Sequence, residues 1–557
     1  MVEGVPRYDV AVVGAGVAGA LIAYKLAECG HRVVILEAGP VGADRRDMVS
    51  SYARAAIKTT RSPYVDNQAG SPVSSPDSDK DYIQGNAKAP FKSGYLRRVG
   101  GSTWHMLGNM PRHIPTDFRL ASTYGVGTDW PINYDELELW YCDAEAELGV
   151  SGDHKELDSL LGAYRSRTFP MSKIWPAYGD LIVAKAIEGL RFLETEVRIS
   201  TTPQARNSRP YDGRPACAGN SSCVPLCPIG AKYDATVHVN KAVRLGAELR
   251  AQAVVTKIEL DRATGRVSGL RYIEWDDGGQ RAERRLQADL YVVAAHAIET
   301  PRLLLASADK DIAPAGVANR SDQVGRNLMD HLQGQMAAIV PEPLFPYRGP
   351  PTTVGVDTFR DGAFRSLHAA FRLSIGNDGM GRVETPFKAL EQKLAQGLIG
   401  SRLRAALGDR LTRQFRVSYS TEMLPNPANR VELQQDEVDG FGIPRAKLTM
   451  ELTDYNLLAF NRASELITRI FDRLNVPNDD RVPQPDGTYS GAGHIIGTTR
   501  MGVDPGASVV DRDCRAHDHD NLFIVGASTF PTAGTANPTL TVAALALRAA
   551  RLISSLL

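Results

Sequence analysis

The stretch Tyr8–Glu37 reads YDVAVVGAGVAGALIAYKLAECGHRVVILE, and it decides the fold. Asp9–Val13 is an apolar run of the length of a buried strand. Gly14-Ala15-Gly16-Val17-Ala18-Gly19 follows without a gap, Ala20–Glu28 has helical composition, and Cys29-Gly30 ends it. Arg32–Leu36 is a second apolar strand, closed by Glu37. This is a βαβ unit with a dinucleotide-binding turn. Gly14 permits the tight turn, Gly16 lets the backbone approach a pyrophosphate, and Gly19 packs the helix close to the strand. The helix start, at Ala18 and Gly19, offers free N–H groups to phosphate. Glu37 is placed to accept a ribose hydroxyl, and an acid there disfavours a 2′-phosphate, which argues against NADP. The turn alone does not separate FAD from NAD.

Around this unit lie 557 residues, enough for two domains or one large composite one. A hydrophobic content of 43% is ordinary for a globular core, and a formal net charge of zero argues against nucleic acid or an anionic membrane surface as the main partner. No uninterrupted apolar run is long enough to cross a bilayer; the run from Val542 is broken by Arg548 and Arg551. The first strand starts so near Met1 that no room remains for a signal peptide. That predicts a cytoplasmic protein, or one exported with a partner subunit that carries the signal. Six cysteines do not make a disulfide scaffold in a chain this long, but three of them are clustered.

Pro40–Pro90, rich in Ser, Asp, Pro and Gly, reads as a surface excursion with short helical patches such as Met48–Lys58. Asn133–Leu148 reads as a helix capped by Asn133, and Ala184–Leu190 and Lys241–Leu245 as short helices. Ala253–Leu260, Val267–Trp275 and Ala288–Ala294 read as strands, the last feeding a helix that starts at Glu299-Thr300-Pro301. That pattern again suits a doubly wound sheet. Met336–Val340, Leu367–Leu373 and Phe415–Met423 read as strands of a different sheet, with Asn429–Leu433 and Ala446–Leu452 expected to continue it. Pro386–Arg416 interrupts this block with leucines at near-helical spacing and seven basic against two acidic residues. It reads as a helical pair with a solvated basic face, or as a docking surface for a partner subunit or membrane.

The C-terminal part carries Gly493-His494-Ile495-Ile496-Gly497-Thr498, then Asn521–Ser528, then Asn537-Pro538-Thr539 before an Ala-rich helix. Here the chain resembles the glucose–methanol–choline (GMC) oxidoreductases, which bind FAD. Val99-Gly100-Gly101-Ser102 is similar to that family's first flavin loop, Ile298–Leu304 to its second motif, and Val324–His331 to a further block. His296 departs from the family, which has a small residue near the second motif. The resemblance implies an α/β GMC fold: a Rossmann-like FAD domain built from residues 1–110, 201–331 and 489–557, a substrate or cap segment at 111–200, and a substrate domain with an antiparallel sheet at 332–488. The excursion 40–90, the cysteine loop 215–234 and the helical insertion 386–416 are set into this frame. It also implies that His494 and Asn537 face the flavin, and that Gly100, Gly101, Ser102, His105, Val255, Ala527, Asn537, Pro538 and Thr539 join the cofactor contacts of the first βαβ unit.

The chemistry supports those assignments. Oxidising an alcohol requires removal of a hydroxyl proton while the carbinol hydride leaves for the flavin, and an imidazole with an unperturbed pKa of ~6.5 accepts a proton at neutral pH. Asn537 can hold the same hydroxyl without competing for its proton. His517 and His519, in an Asp-rich loop, read as structural or surface residues. Cys29, Cys142 and Cys514 read as core or loop thiols.

His105 lies in Gly100-Gly101-Ser102-Thr103-Trp104-His105. Sugar dehydrogenases and pyranose oxidases of similar pattern attach FAD through a histidine at this place, so the resemblance implies an 8α-histidyl flavin; the alternative is a histidine that only stacks near it. Cys217, Cys223 and Cys227 have the spacing C-x5-C-x3-C in a loop with Gly219, Pro225 and Pro228. Thiolates select zinc or iron–sulfur clusters, and neither count nor spacing suits tetrahedral zinc. The block is similar to one in catalytic subunits of FAD-dependent glucose, gluconate and fructose dehydrogenases, where three cysteines hold a 3Fe-4S cluster. Buried free thiols are the plain alternative. The implied reaction is oxidation of a sugar or glycoside hydroxyl. Electrons would pass through the cluster to a cytochrome or quinone-linked acceptor, and a small accessory subunit would assist. A pyranose or glycoside oxidase that makes peroxide, and a non-redox lyase of the same fold, are the rival readings.

Overall fold

The computed structural model describes the chain except residues 1–5, 43, 57–61, 65–81, 87, 154, 157–160, 380–385 and 485–487. Arg7–Val13 (β1), Val17–Glu28 (α1) and Val33–Leu36 (β2) form the expected unit, with β1 and β2 parallel. Val10, Ala11 and Val12 have no exposed surface, as befits a strand covered on both faces. The parallel sheet runs from Glu248–Arg250 through β2 and β1 to Arg281–Val293 and Leu522–Ile524, so distant parts of the chain meet in it. α1 packs against the helices Thr236–Arg244 and Thr539–Ser555. Small buried residues on both sides of that contact (Ala20, Ala23 and Ala27 against an Ala-rich C-terminal helix) let the backbones approach closely.

Arg281–Val293 begins well before the expected Ala288. Its first half pairs antiparallel with Val267–Trp275, which pairs with Ala253–Leu260. That half, Arg-Ala-Glu-Arg-Arg, is largely exposed and carries no apolar signal, so only the buried half reads as a strand from sequence.

The second sheet is antiparallel, in the order Arg481–Val482, Leu332–Ile339, Gln414–Thr421, Phe371–Gly376, Val354–Val356 and Ile199–Thr201. Alternation sorts its faces. Met336, Ala338, Leu373, Ile375, Phe415 and Val417 share a core with Leu466, Ile467 and Ile470 of the helix Asp454–Arg473. Gln333, Gln335, Arg372, Ser374, Ser418 and Ser420 face the opposite side and line a cavity.

Three expectations need correction. Arg430–Val438 and Pro444–Thr449 do not continue this sheet; they pair with each other and with Tyr82–Gln84 in a separate three-stranded sheet. Val431, Ala446 and Leu448 bury their side chains in the core of the dinucleotide-binding lobe, which draws the hairpin there. The helix expected over Ala184–Leu190 is Tyr178–Ala186, because the Asp180 carboxylate accepts the Ala177 N–H at 2.8 Å and fixes an earlier start. The strand expected over Leu367–Leu373 is Phe371–Gly376; Leu367 itself is exposed beside the turn Ala363–Ser366.

The Tyr134–Leu148 helix has its Asn133 cap, with the side-chain oxygen accepting Glu136 N–H at 3.0 Å and Glu136 accepting Asn133 N–H at 2.9 Å. Lys241–Leu245 is the end of Thr236–Arg244. The insertion is a helical pair, Pro386–Ala395 and Gly400–Thr412, and the second helix buries no residue. In the excursion after β2 the structure has a helix Arg45–Arg54, while Ile57 and Lys58 of the expected patch lie outside the described residues.

Candidate active site

A cavity of about 910 Å³ opens between the first and second sheets, near the upper end of the ~300–1,000 Å³ usual for ligand sites. One end is the glycine turn. Gly14 has φ +101°, and a Cβ there would stand 2.5 Å from the Ala294 carbonyl oxygen. A Cβ on Gly19 would stand 2.0 Å from Gly14 O, which explains how α1 comes so close to β1. A Cβ on Gly16 would meet nothing within 4 Å, because that face opens on the cavity. Such a cradle leaves room for a pyrophosphate at Gly16 and none for a side chain at Gly14 or Gly19. The buried Glu37 carboxylate accepts Ala15 N–H at 2.8 Å and Gly39 N–H at 2.9 Å, fastening the turn from below. Burial pushes its pKa up to about 7 against the pull of those two donors.

The Gly-Gly loop lies across the turn. Gly100 and Gly101 have φ of +92° and +53°, and Gly100 N–H donates to Ala15 O at 3.0 Å. The short helical turn Gly101–Trp104 then delivers His105 to the cavity wall. Burial, then Lys232 and His296, push His105 down to about 4, so its ring is neutral. Gly14, Gly16, Ala18, Glu37, Gly101, Ser102, His105, Val255, Ala527, Asn537, Pro538 and Thr539 all line this one cavity; Gly19 and Gly100 stand behind it as packing positions. His296, at φ +79°, also reaches the wall, stacked on Tyr95 with ring centroids 4.3 Å apart.

His494 and Asn537 meet at the other end. The segment Asn327–His331 builds their geometry. Met329 and Ile496 exchange backbone hydrogen bonds of 3.0 Å each, setting the two stretches side by side. The Asp330 carboxylate accepts His494 N–H at 2.9 Å and also holds Ser93 Oγ. His331 Nε2 lies 2.8 Å from Gly534 O, so that nitrogen carries a proton. Burial pushes His331 down to about 4, so it is neutral and its Nδ1 bears a lone pair. His331 Nδ1 lies 2.8 Å from His494 Nδ1, which must therefore donate. Burial, then His331 and Arg372, hold His494 well below the usual imidazole range, so it too is neutral. Its Nε2 is left as a lone pair, and Asn537 Nδ2 donates to it at 2.9 Å. Asn537 thus occupies the His494 Nε2 lone pair, and a hydroxyl arriving there would displace or share its amide N–H.

Sequence reasoning missed two members of this site. His331 was visible only as part of a motif, and its ring contact with His494 spans 163 positions. Arg372 lies on the cavity face of Phe371–Gly376, reaching Asn537 Oδ1 at 3.5 Å while Asp357 holds its Nε at 2.9 Å. The alternation of Phe371-Arg372-Leu373-Ser374-Ile375 was the available signal. His519 is a satisfied structural histidine, bonded to Ala318 N and Gly265 O.

Cys217 is half-buried and Cys223 and Cys227 are buried; all three thiols are free. Among the described residues no group of three or more His, Cys, Asp or Glu side chains is placed to hold a metal ion. Val224, next to Cys223, forms part of the cavity wall, so the cysteine loop abuts the dinucleotide site.

Comparisons with known proteins identify the family. Two family models described as GMC oxidoreductase match residues 196–333 and 425–546, and one described as FAD dependent oxidoreductase matches residues 9–170. The fructose dehydrogenase large subunit of Gluconobacter japonicus is 37% identical over 552 residues, 97% of each chain. The 2-methyl-1,2-propanediol dehydrogenase of Mycolicibacterium austroafricanum is 30% identical, over 100% of this chain and 96% of that one. The crystal structure of pyridoxine 4-oxidase from Mesorbium loti shares the fold, with a TM-score of 0.65 and 20% identity over 98% of this chain and 99% of that one. The chain belongs to the GMC oxidoreductase family: it is an FAD-dependent oxidoreductase acting on CH–OH groups.

Proposed function

We propose that this chain oxidises a hydroxyl of a sugar or related polyol, with His494 as the base and Asn537 as the hydroxyl-positioning residue. The observation that carries the reading is the lone pair on His494 Nε2, facing the cavity and fixed there by His331. Bound FAD supplies a two-electron hydride acceptor. The substrate hydroxyl would lie against His494 Nε2 and give up its proton to it, while Asn537 holds the oxygen. General-base help of this kind is worth roughly 10²–10⁴ in rate. The face opposite is a row of amides and hydroxyls, Gln333, Gln335, Ser374, Ser418 and Ser420, which suits a ligand with several hydroxyl groups. The fructose and diol dehydrogenases among its relatives fit that class.

The reading extends to three finer assignments. FAD is bonded to His105, whose neutral ring is in the nucleophilic form. Cys217, Cys223 and Cys227, three thiol donors in one loop, hold a 3Fe-4S cluster. A cluster held there accepts electrons one at a time. A cytochrome or quinone-linked acceptor, with a small accessory subunit, completes the route.

Two measurements test this. Anaerobic addition of a panel of sugars should bleach the flavin of the wild type but not of His494→Ala with equal FAD content; reduction at the wild-type rate removes His494 from the base role. Protein purified without oxygen should carry about three irons per chain, with the EPR signal of an oxidised three-iron cluster. Iron-free protein whose reduced flavin reoxidises rapidly in air would replace the relay with an oxidase.

A further inference from the structure

Between the flavin loop and the cysteine loop the structure buries two cations that no carboxylate touches. Lys232, 2% exposed, donates from Nζ to the carbonyls of Thr103 (3.1 Å), Trp104 (2.8 Å) and Met106 (2.7 Å). Arg206, fully buried, donates to Leu107 O, to Gln204 Oε1 at 2.6 Å and to Thr352 O at 3.2 Å. Among the described residues, then, every partner of the two is an uncharged oxygen, and Arg206 Nε has no partner at all. The two residues are neighbours across an antiparallel bridge. The carbonyls of Thr103, Trp104, Met106 and Leu107 are the backbone on either side of His105. Cys217 N–H donates to Asn207 O at 2.8 Å, directly beside Arg206, and Lys232 follows Cys227 in the same loop. Electrostatically, Cys223 and Cys227 act on Lys232, and Arg206 acts on Cys217. Asp234, the carboxylate that also acts on Lys232, is itself paired with Arg45 at 2.6 Å.

Burying an ion costs several kcal/mol unless an opposite charge compensates it. Backbone carbonyls solvate a cation but leave its net charge in place. Two such cations side by side call for a resident anion, and the thiols of Cys217, Cys223 and Cys227 are among the groups that interact with them electrostatically. A three-iron, four-sulfide cluster on three thiolates is an anion whose charge rises further on reduction.

We propose that Lys232 and Arg206 are the electrostatic counterpart of the cysteine-bound cluster: their fixed positive charge stabilises its reduced form and so draws electrons from the flavin. The inference rests on the cluster reading above. Lys232 is a positioning and tuning residue rather than a catalytic one, since it touches neither substrate nor the reacting atoms. Removing its charge lowers the cluster potential; removing only its exact shape does not.

The test uses the holoenzyme purified anaerobically, with an EPR-monitored redox titration of the cluster and an iron determination. Lys232→Gln keeps donors for the carbonyls but loses the charge; Lys232→Arg keeps the charge. Lys232→Gln should make the cluster about tenfold harder to reduce, a fall of ~59 mV for a one-electron couple, and Lys232→Arg should restore the wild-type value. Arg206→Gln is the second variant should Lys232→Gln not fold, and the same fall is expected. A cluster present at full occupancy with an unmoved potential in the glutamine variants overturns the inference and leaves the cluster standing. A wild type without iron overturns both. A fall that Lys232→Arg shares with Lys232→Gln assigns the effect to the carbonyl contacts and also overturns it.

Discussion

Replacing His331 tests whether the tautomer of His494 is what makes it a base. His331→Leu keeps much of the side-chain volume but leaves no acceptor for His494 Nδ1–H, which now lies 2.8 Å from His331 Nδ1 in a buried setting. An unsatisfied buried donor costs about 1–3 kcal/mol. His494 can avoid that cost by moving its proton to Nε2, because Asn537 can turn its amide and offer Oδ1 instead. The molecule that does so has no lone pair towards substrate. The competent fraction should therefore fall by the same free energy, roughly 5- to 150-fold at ~1.4 kcal/mol per factor of ten. The assay is anaerobic stopped-flow reduction of the flavin at saturating substrate, with FAD content and melting temperature as controls. The loss should appear in the limiting rate with little change in substrate affinity, and His331→Asn, whose carbonyl can accept the same N–H, should recover part of it. A His331→Leu enzyme reduced within twofold of the wild-type rate would refute the reasoning.

Further outcomes follow from the same geometry. Because burial holds His494 well below an ordinary imidazole, the base stays unprotonated as pH falls, so the flavin reduction rate should be flat from pH ~8 to ~6; an inflection at ~6.5 or above would place its pKa in the ordinary range. His105, His296 and His331, each pushed down to about 4 in the fold from 6.5, bind more protons when unfolded. Taken alone, these three make stability fall as pH drops from 6.5 towards 4. Glu37, pushed up to about 7, and Asp180 and Asp330, pushed up to about 6, bind extra protons in the fold and oppose that fall. The melting temperature should therefore change little over the interval, and a steep change in either direction would contradict one of the two sets. His105→Ala should release FAD on acid precipitation where the wild type retains it; release from both removes the covalent bond. Gly14→Ala places a methyl group 2.5 Å from Ala294 O at φ +101°, so the purified protein should have lost most of its FAD, and stoichiometric retention would show that the turn relaxes more easily than its contacts imply.

The parts of the fold that could be read from sequence are those whose signal is local. β1, α1 and β2 are contiguous, and the glycines between them have one reading. The Asn133 cap and its Glu136 partner lie three residues apart. Misreadings occur where the partner is remote or the strand is exposed. Arg430–Val438 looks like one more strand of the substrate sheet until Tyr82–Gln84, more than 340 residues earlier, is placed beside its partner Pro444–Thr449. Arg281–Arg285 reads as a polar loop because its strand is exposed at that end, and only the antiparallel neighbour Val267–Trp275 holds it extended.

The site divides in the same way, and the division is physical. His494 and Asn537 could be singled out because each stands in a motif of its own, and the proposed proton transfer calls for side chains of these types. What makes His494 useful is not carried by its own motif. A lone imidazole in a buried cleft would be free to place its proton on either nitrogen, and half of those choices are inert. The backbone bridge between Met329 and Ile496 brings His331 alongside, and the Gly534 carbonyl fixes the proton of His331. The proton position on His494 follows from a carbonyl it never touches. Arg372, clamped by Asp357 and aimed at Asn537 Oδ1, completes the same logic from the substrate sheet, because it favours the amide orientation that turns N–H towards His494. The second sheet therefore does more than wall the cavity: through Arg372 it helps decide which nitrogen of His494 is left with a lone pair, the property the proposed base role requires.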